Sequence, residues 1–202
     1  MIKAVLFDYG GVMTDGGRGI EITERIAANL GVSPERALAL LDIGWTLYAN
    51  GTISEDEFWV QLETAYGQPV PLAKRNIWNS WEIMQPKPEM VAFVQKLKAS
   101  GLPVGLLSNV IPYTLDQLRS HGVYDNFDFT ILSAEAGCGK PDPEFYKLAL
   151  ARLPGTLPEE VVFIDDQPAF LLPAQQLGIQ TIHAQSAGQI IADTSQLIES
   201  SK

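Results

Sequence analysis

Four short stretches carry residue types able to do chemistry together. Asp8 closes the apolar run Ala4-Val5-Leu6-Phe7 and is followed by Tyr9-Gly10-Gly11-Val12. Ser108-Asn109 ends the run Val104–Leu107, Asp165-Asp166 ends Val161–Ile164, and Gly139-Lys140-Pro141-Asp142 stands just before a helix signal. A carboxylate where a buried strand runs out, with glycines after it, is a rigid and accessible nucleophile, because the glycines let the backbone turn away and leave room for a ligand. Asp8, Asp165 and Asp166 would repel one another unless a cation sat among them, and hard Mg²⁺ prefers carboxylate oxygens. A phosphate could then approach. Ser108 and the backbone N–H of Asn109 would donate to its oxygens, Lys140 would neutralise its remaining charge, and Asp8 would attack phosphorus in line to give an aspartyl-phosphate that water hydrolyses. Each piece also has a bland reading: Ser108-Asn109 as a strand-to-helix turn, Lys140 as a solvated lysine, Asp166 as a helix cap. The joint occurrence at strand tips favours a site.

The elements that must position these residues follow from hydrophobic patterning. Apolar runs without polar alternation recur at Ala4–Phe7, Val104–Leu107, Val161–Ile164 and around Thr181–Ile182, with a weaker one at Thr130–Leu132. Such runs suit parallel strands covered on both faces. Between them lie helical patterns. Met90, Val91, Val94 and Leu97 follow Pro88 and stop at Gly101; Asp142-Pro143-Glu144 opens a helix carrying Phe145, Leu148 and Ala149; Pro168 to Gln176 forms another, with Gly178 just past its end. Strands alternating with helices mean an α/β fold with a doubly wound parallel sheet. In such sheets ligands bind outside the carboxyl ends of the strands, the edge on which Asp8, Ser108, Asp165 and Asp166 fall.

The stretch from Gly16 to Gln85 breaks the rhythm. It has no convincing strand, and Ile22, Ile26 and Leu30 form a helical stripe. Ser33-Pro34 is a cap followed by a first-turn proline, and Ser54 to Glu57 fits a capping box ahead of Phe58, Leu62 and Ala65. All four tryptophans fall here (Trp45, Trp59, Trp78 and Trp81), and core aromatics are their default reading. The expected organisation is a small α-helical cap over residues 16–85 inserted after the first strand of a core made of residues 1–15 and 86–202.

At 202 residues the chain can bury one sizeable core carrying such an insertion. Its net charge of -10 argues against nucleic acid or an anionic membrane as partner, and is compatible with a small anionic substrate met by local positive charge. Cys138 is the only cysteine, which excludes an intrachain disulfide, and no run approaches the ~20 apolar residues of a membrane span. These features lead us to expect a soluble, cytoplasmic protein. His121, after a helix and before Gly122, suits a helix C-terminus; His183 ends the last strand. Neither has a catalytic partner in view, and nor does Cys138.

FDYGGV, LLSN, GKPDPEFY and FIDD resemble, in order, the four motifs of the haloacid dehalogenase superfamily, and the resemblance spans the whole chain. It implies a Rossmann-like core with an α-helical cap, and Mg²⁺-dependent hydrolysis of a small phosphorylated metabolite. By position, Asp8 resembles the nucleophile and a metal ligand, the Gly10 carbonyl a second ligand, and Asp166 with Asp165 the remaining acidic metal site. Ser108 and Lys140 resemble the phosphate-holding pair.

One position departs. Most phosphatases of the superfamily carry a second Asp two residues after the nucleophile to protonate the leaving group; here Gly10 stands there, as in a branch of sugar-phosphate phosphatases that this sequence resembles. The general acid is therefore unassigned, with Thr14, Asp15 or a water as stand-ins, and leaving oxygens that need little protonation are favoured, such as anomeric, acyl or aryl ones. Tyr9, Thr14, Arg18, Trp45 and Tyr48 are the residues expected to reach the pocket. Two alternatives compete: a metal-free haloacid dehalogenase, against which Asp165-Asp166 weigh, and a non-catalytic phosphate- or protein-binding relative, which Gly10 alone supports.

Overall fold

The computed structural model describes residues 1–16, 19–78 and 81–200. In chain order the elements are β1 (Ala4–Phe7), α1 (Gly19–Leu30), α2 (Pro34–Leu41), α3 (Trp45–Ala49), α4 (Glu55–Tyr66), α5 (Trp81–Met84), α6 (Pro88–Ala99), β2 (Val104–Ser108), α7 (Pro112–Ser120), β3 (Phe129–Leu132), α8 (Ser133–Ala136), α9 (Pro143–Ala151), β4 (Val161–Asp165), α10 (Pro168–Gln176), β5 (Gln180–His183) and α11 (Ala187–Ser200). The five strands form one parallel sheet in the order β3-β2-β1-β4-β5. The apolar runs are strands as expected, each within a residue or two of its expected ends.

Period-two alternation divides the strand side chains between two interiors. Val5 and Phe7 join Leu106, Ile164, Phe93 of α6, Leu118 of α7 and Ile190 of α11 on one face. Ala4 and Leu6 join Leu107, Phe163, Phe145 of α9 and Leu171 of α10 on the other. Helices thus cover both faces, and the sheet is doubly wound.

The segment after β1 holds helices and no strand among its described residues, with α1–α5 between β1 and α6. It has its own apolar cluster, in which Ile22 and Ile26 meet Leu40, Tyr48, Phe58, Trp59 and Trp78. The expected starts hold: Ser33 accepts from the N–H of Arg36 with Pro34 in the first turn, and Ser54 with Glu57 makes a reciprocal capping box ahead of α4. Phe58 stacks on Tyr48 with ring centroids 5.3 Å apart and meets Trp59 edge-on at 5.4 Å. Glu55 Oε1 accepts from both Trp59 Nε1 (3.2 Å) and Trp78 Nε1 (3.0 Å), so the indole N–H groups are satisfied inside an apolar cluster.

Two short ties hold this segment to the sheet. Where the chain leaves and re-enters the sheet layer, Tyr9 Oη donates to the Met84 carbonyl (2.6 Å) and the Lys87 N–H donates to the Met13 carbonyl (2.7 Å). On the opposite side Ser133 Oγ accepts from the Val110 N–H (2.9 Å) and donates to the Ala49 carbonyl (2.7 Å), linking α8 to α3.

Candidate active site

Register decides which strand-end residues meet. Phe7 is aligned with Leu106 on one side and Ile164 on the other, so the residue after β1, Asp8, falls beside the end of β4. The Asp8 N–H donates to the Ile164 carbonyl at 2.9 Å, which extends the ladder to the carboxylate itself. Three of the four expected stretches line a single cavity of about 710 Å³, through Asp8 with Tyr9 and Gly10, Ser108 with Asn109, and Lys140; Asp165 and Asp166 of the fourth stand behind them and do not line it.

The Lys140 side chain is 1% exposed, and its Nζ lies 2.7 Å from Asp8 Oδ1 and 2.6 Å from Asp165 Oδ2. The other oxygen of Asp165 accepts from the Gln167 N–H at 2.8 Å. Both oxygens of Asp165 are therefore engaged, whereas Lys140 takes only one oxygen of Asp8. This differs from the expectation of a lysine left free for phosphate. Two fixed carboxylates attract a single buried ammonium more strongly than solvent can hold it, and Lys140 fills part of the space between the strand tips.

Its backbone is clamped as well. Asn109 Oδ1 accepts from the Lys140 N–H (2.8 Å), and Asn109 Nδ2 donates to the Lys140 carbonyl (2.8 Å). The sequence points to the Asn109 backbone N–H; it carries no signal for this reciprocal side-chain bridge between residues so far apart along the chain.

The electrostatics are those of a site short of positive charge. Burial pushes the Asp8 carboxyl up to about 7, Lys140 opposing the rise and Asp165 adding to it. Burial works to lower the Lys140 ammonium, and the charges of Asp8 and Asp165 outweigh it, so Lys140 lies above its ordinary value. Asp8, Asp165 and Asp166 each offer a carboxylate oxygen, and these atoms lie within 4.8 Å of one another. Three carboxylates against one ammonium, with hard oxygen donors only, fit a divalent cation such as Mg²⁺. Asp165 already has both oxygens engaged, whereas Asp8 keeps an oxygen outside the grip of Lys140.

The remaining expected residues divide. Trp45 lines the cavity. Tyr48 does not: it is buried in the cluster of α1–α5, stacked on Phe58 and edge-on to Trp45 at 6.5 Å, whereas the partly exposed Trp45 stands at the margin of that cluster. Thr14 is buried and its Oγ1 donates to the Gly16 carbonyl, while Asp15 is exposed and pairs with Lys87 at 3.3 Å. Neither lines the cavity as a stand-in acid. Arg18 lies outside the described residues. Tyr9 contributes to the wall, with its hydroxyl committed to Met84 and its phenol pushed up by burial. His121 follows α7, where its Nδ1 is 2.9 Å from the Gln117 carbonyl, and its ring stacks on Trp81. His183 Nε2 is 3.1 Å from the Asp166 carbonyl. Ile111, Thr114 and Phe170 also line the cavity; they lie just beyond Ser108-Asn109 and Asp165-Asp166, and that adjacency was the only signal for them.

The chain belongs to the haloacid dehalogenase-like hydrolases, whose family model matches residues 2–178. Relatives named as phosphatases are found among its matches. The chain is 28% identical over 182 residues to a sesquiterpene phosphatase of Aspergillus oryzae, covering 90% of this chain and 89% of that one. It is 27% identical over 197 residues to a glyceraldehyde 3-phosphate phosphatase of Methanocaldococcus jannaschii, covering 90% and 84%. Among solved structures, a haloacid dehalogenase family enzyme from Bacteroides thetaiotaomicron in complex with magnesium and inorganic phosphate superposes with a TM-score of 0.73 at 28% identity, covering 92% of this chain and 95% of that one. No helix among the described residues is long and apolar enough to cross a membrane.

Proposed function

We propose that this protein is a magnesium-dependent phosphatase that hydrolyses a small phosphorylated metabolite, a sugar phosphate being one candidate, through an aspartyl-phosphate on Asp8. The observation that carries the reading is the cluster of Asp8, Asp165, Asp166 and Lys140, of which Asp8 and Lys140 line the cavity, with one oxygen of Asp8 outside the grip of Lys140. The relatives named above act on a sesquiterpene phosphate and a triose phosphate, and the solved relative was captured with magnesium and phosphate. What they have in common is the phosphate end of the reaction.

Asp8, Asp166 and the Gly10 carbonyl would hold the cation. When bound, magnesium supplies positive charge against the carboxylates and the phosphoryl oxygens. Asp165 positions Lys140, and Lys140 fixes one oxygen of Asp8 so that the other faces phosphorus. Ser108 and the Asn109 N–H hold the phosphoryl oxygens. The bond from phosphorus to the leaving oxygen breaks as the bond to Asp8 forms, and water then cleaves the acyl phosphate to regenerate the carboxylate. In this reading residues 16–85 act as a cap that shapes the leaving-group end, over a core of residues 1–15 and 86–202.

The test is phosphate release from a panel of phosphorylated metabolites by the full chain, with Mg²⁺ present or chelated and with Asp8→Asn as control. Release that stops on chelation and in the variant is expected. Release that survives either change removes the metal or the nucleophile from the mechanism, and halide release from a 2-haloacid despite chelation would establish the dehalogenase instead.

A further inference from the structure

Beyond Asp8 the cavity changes character. Its apolar lining is Ile22, Trp45 and Met84 from the helical segment after β1 and Ile111, Leu118 and Phe170 from the sheet core, Phe170 lying closest to the charged end, with its ring 5.1 Å from Lys140 Nζ. Thr46, Asn50 and Thr114 are scattered among them. Among the described residues that line the cavity, Lys140 is the only cation, and Asp8 and Asp165 already hold it. Nothing described there would receive a second anionic group on the substrate.

The leaving oxygen also lacks an acid. The titratable groups lining the cavity, among the described residues, are Asp8, Tyr9, Lys140 and Asp142. Tyr9 spends its hydroxyl on the Met84 carbonyl, and Asp142 caps α9 by accepting from the Glu144 N–H at 2.9 Å. Thr14 and Asp15 point elsewhere. Such a lining favours a substrate whose leaving oxygen is stable without a proton. Phenols, with a pKa of about 10, meet this condition far better than alkanols, whose acidity is closer to that of water at about 16.

Two independent features, an apolar wall with aromatic members and an unassisted leaving group, meet in one class of compound. Resting on the phosphatase reading, we infer that the substrate is the phosphate monoester of an aromatic alcohol, a phenolic phosphate with no second anionic group. Asp8 forms its bond to phosphorus while the phosphorus–phenoxide bond breaks; the phenoxide departs with that electron pair and takes its proton from water. A second water hydrolyses the aspartyl-phosphate, so that the sum is ester plus water giving phenol plus inorganic phosphate. The ring lies against Trp45, Ile111 and Phe170. Burial of a ring-sized apolar group there is worth roughly ten- to a hundredfold in kcat/KM, and a missing acid costs alkyl esters ~10²–10⁴-fold relative to an enzyme that has one.

Four esters separate these effects in phosphate-release assays on the full chain with Mg²⁺. Phenyl and cyclohexyl phosphate differ mainly in leaving-group acidity, cyclohexyl and inositol monophosphate in polarity on one ring skeleton, and phenyl and 4-carboxyphenyl phosphate in a second negative charge. Phenyl phosphate is expected to exceed cyclohexyl phosphate by ~100-fold or more in kcat/KM, and cyclohexyl phosphate to exceed inositol monophosphate by roughly tenfold. The carboxylated ester is expected to lose through KM. Gly10→Asp restores a carboxylic acid at a position whose φ is not in the left-handed region. It is expected to raise cyclohexyl phosphate turnover and narrow the aryl-to-alkyl ratio. Inositol or cyclohexyl phosphate turning over as well as phenyl phosphate overturns the inference and leaves the phosphatase reading intact. No phosphate from any of the four overturns the inference, and no phosphate from the metabolite panel either overturns the phosphatase reading itself.

Discussion

The sheet core and the helical segment above it bury opposite things. At the tips of β1 and β4 the core encloses a carboxylate–ammonium–carboxylate bridge, Asp8–Lys140–Asp165, with Asp165 fully buried. Among the described residues of 19–78 no polar or charged side chain is buried to that degree; the interior there is aromatic, and the carboxylate that serves it, Glu55, stays partly exposed. Charge can be enclosed where paired strands fix the backbone on both sides and every oxygen finds a donor. Short helices joined by loops offer area but less positional certainty. Under the proposed function, reactivity is held at the strand tips, and the helical segment joins the core in discrimination through Ile22, Trp45 and Met84.

The strongest challenge to that division is Asp8→Asn, which should lower kcat by about 10⁴-fold or more with an unchanged far-ultraviolet circular dichroism spectrum. Next comes Asp165→Ala, which leaves Lys140 half-paired. Denaturant unfolding should show a loss of about 3 kcal/mol, and kcat should fall roughly a hundredfold while the preference among substrates stays the same. A change of preference there would break the comparison.

Magnesium and protons compete for Asp8. With its carboxyl raised to about 7, the folded metal-free protein holds a proton that the unfolded chain loses near its ordinary value of 3.8. Between these values the unfolded state binds fewer protons, so metal-free stability falls as pH rises toward 7 and stays low above it. Added Mg²⁺ should therefore raise the melting temperature more at pH 8 than at pH 6, a difference that thermal shift assays read directly. Equal shifts would remove Asp8 from the cation site.

The smallest effect belongs to the cap. Trp45→Phe should leave kcat for phenyl phosphate within about threefold and move KM by a comparable factor, because the wall is trimmed and the chemistry untouched. A large fall in kcat would place the cap in the reactive half after all.

Much of this was legible before any coordinates. Unalternated apolar runs marked the strands because each is covered on both faces, and the strand tips then named Asp8, Ser108 and Asp165 together. Ser33, Ser54 and Asp142 marked helix starts through local hydrogen bonds that a few residues suffice to encode. Other features were not local. The clamp of Asn109 on Lys140 joins two loops that only the sheet brings together. Which of Trp45 and Tyr48 faces the cavity depends on the rotation of a five-residue helix, too short for its periodicity to be read. The outward turn of Asp15 and the inward burial of Thr14 follow from the Tyr9–Met84 and Met13–Lys87 ties, which reach across the whole inserted segment.

The placement of β1 between β2 and β4 bears on the protein's biosynthesis. A growing chain presents Asp8 before the other residues of the site, yet β1 gains its first partner only when β2 is made and its second only with β4. Until Asp165 has left the ribosome, Asp8 has no fixed lysine beside it and no neighbouring acids. Long-range pairing of this kind forms late and all at once. Under the proposed mechanism the nascent polypeptide is thus chemically inert until β4 is made, and the first turnover by a newly made molecule reports that this strand has docked.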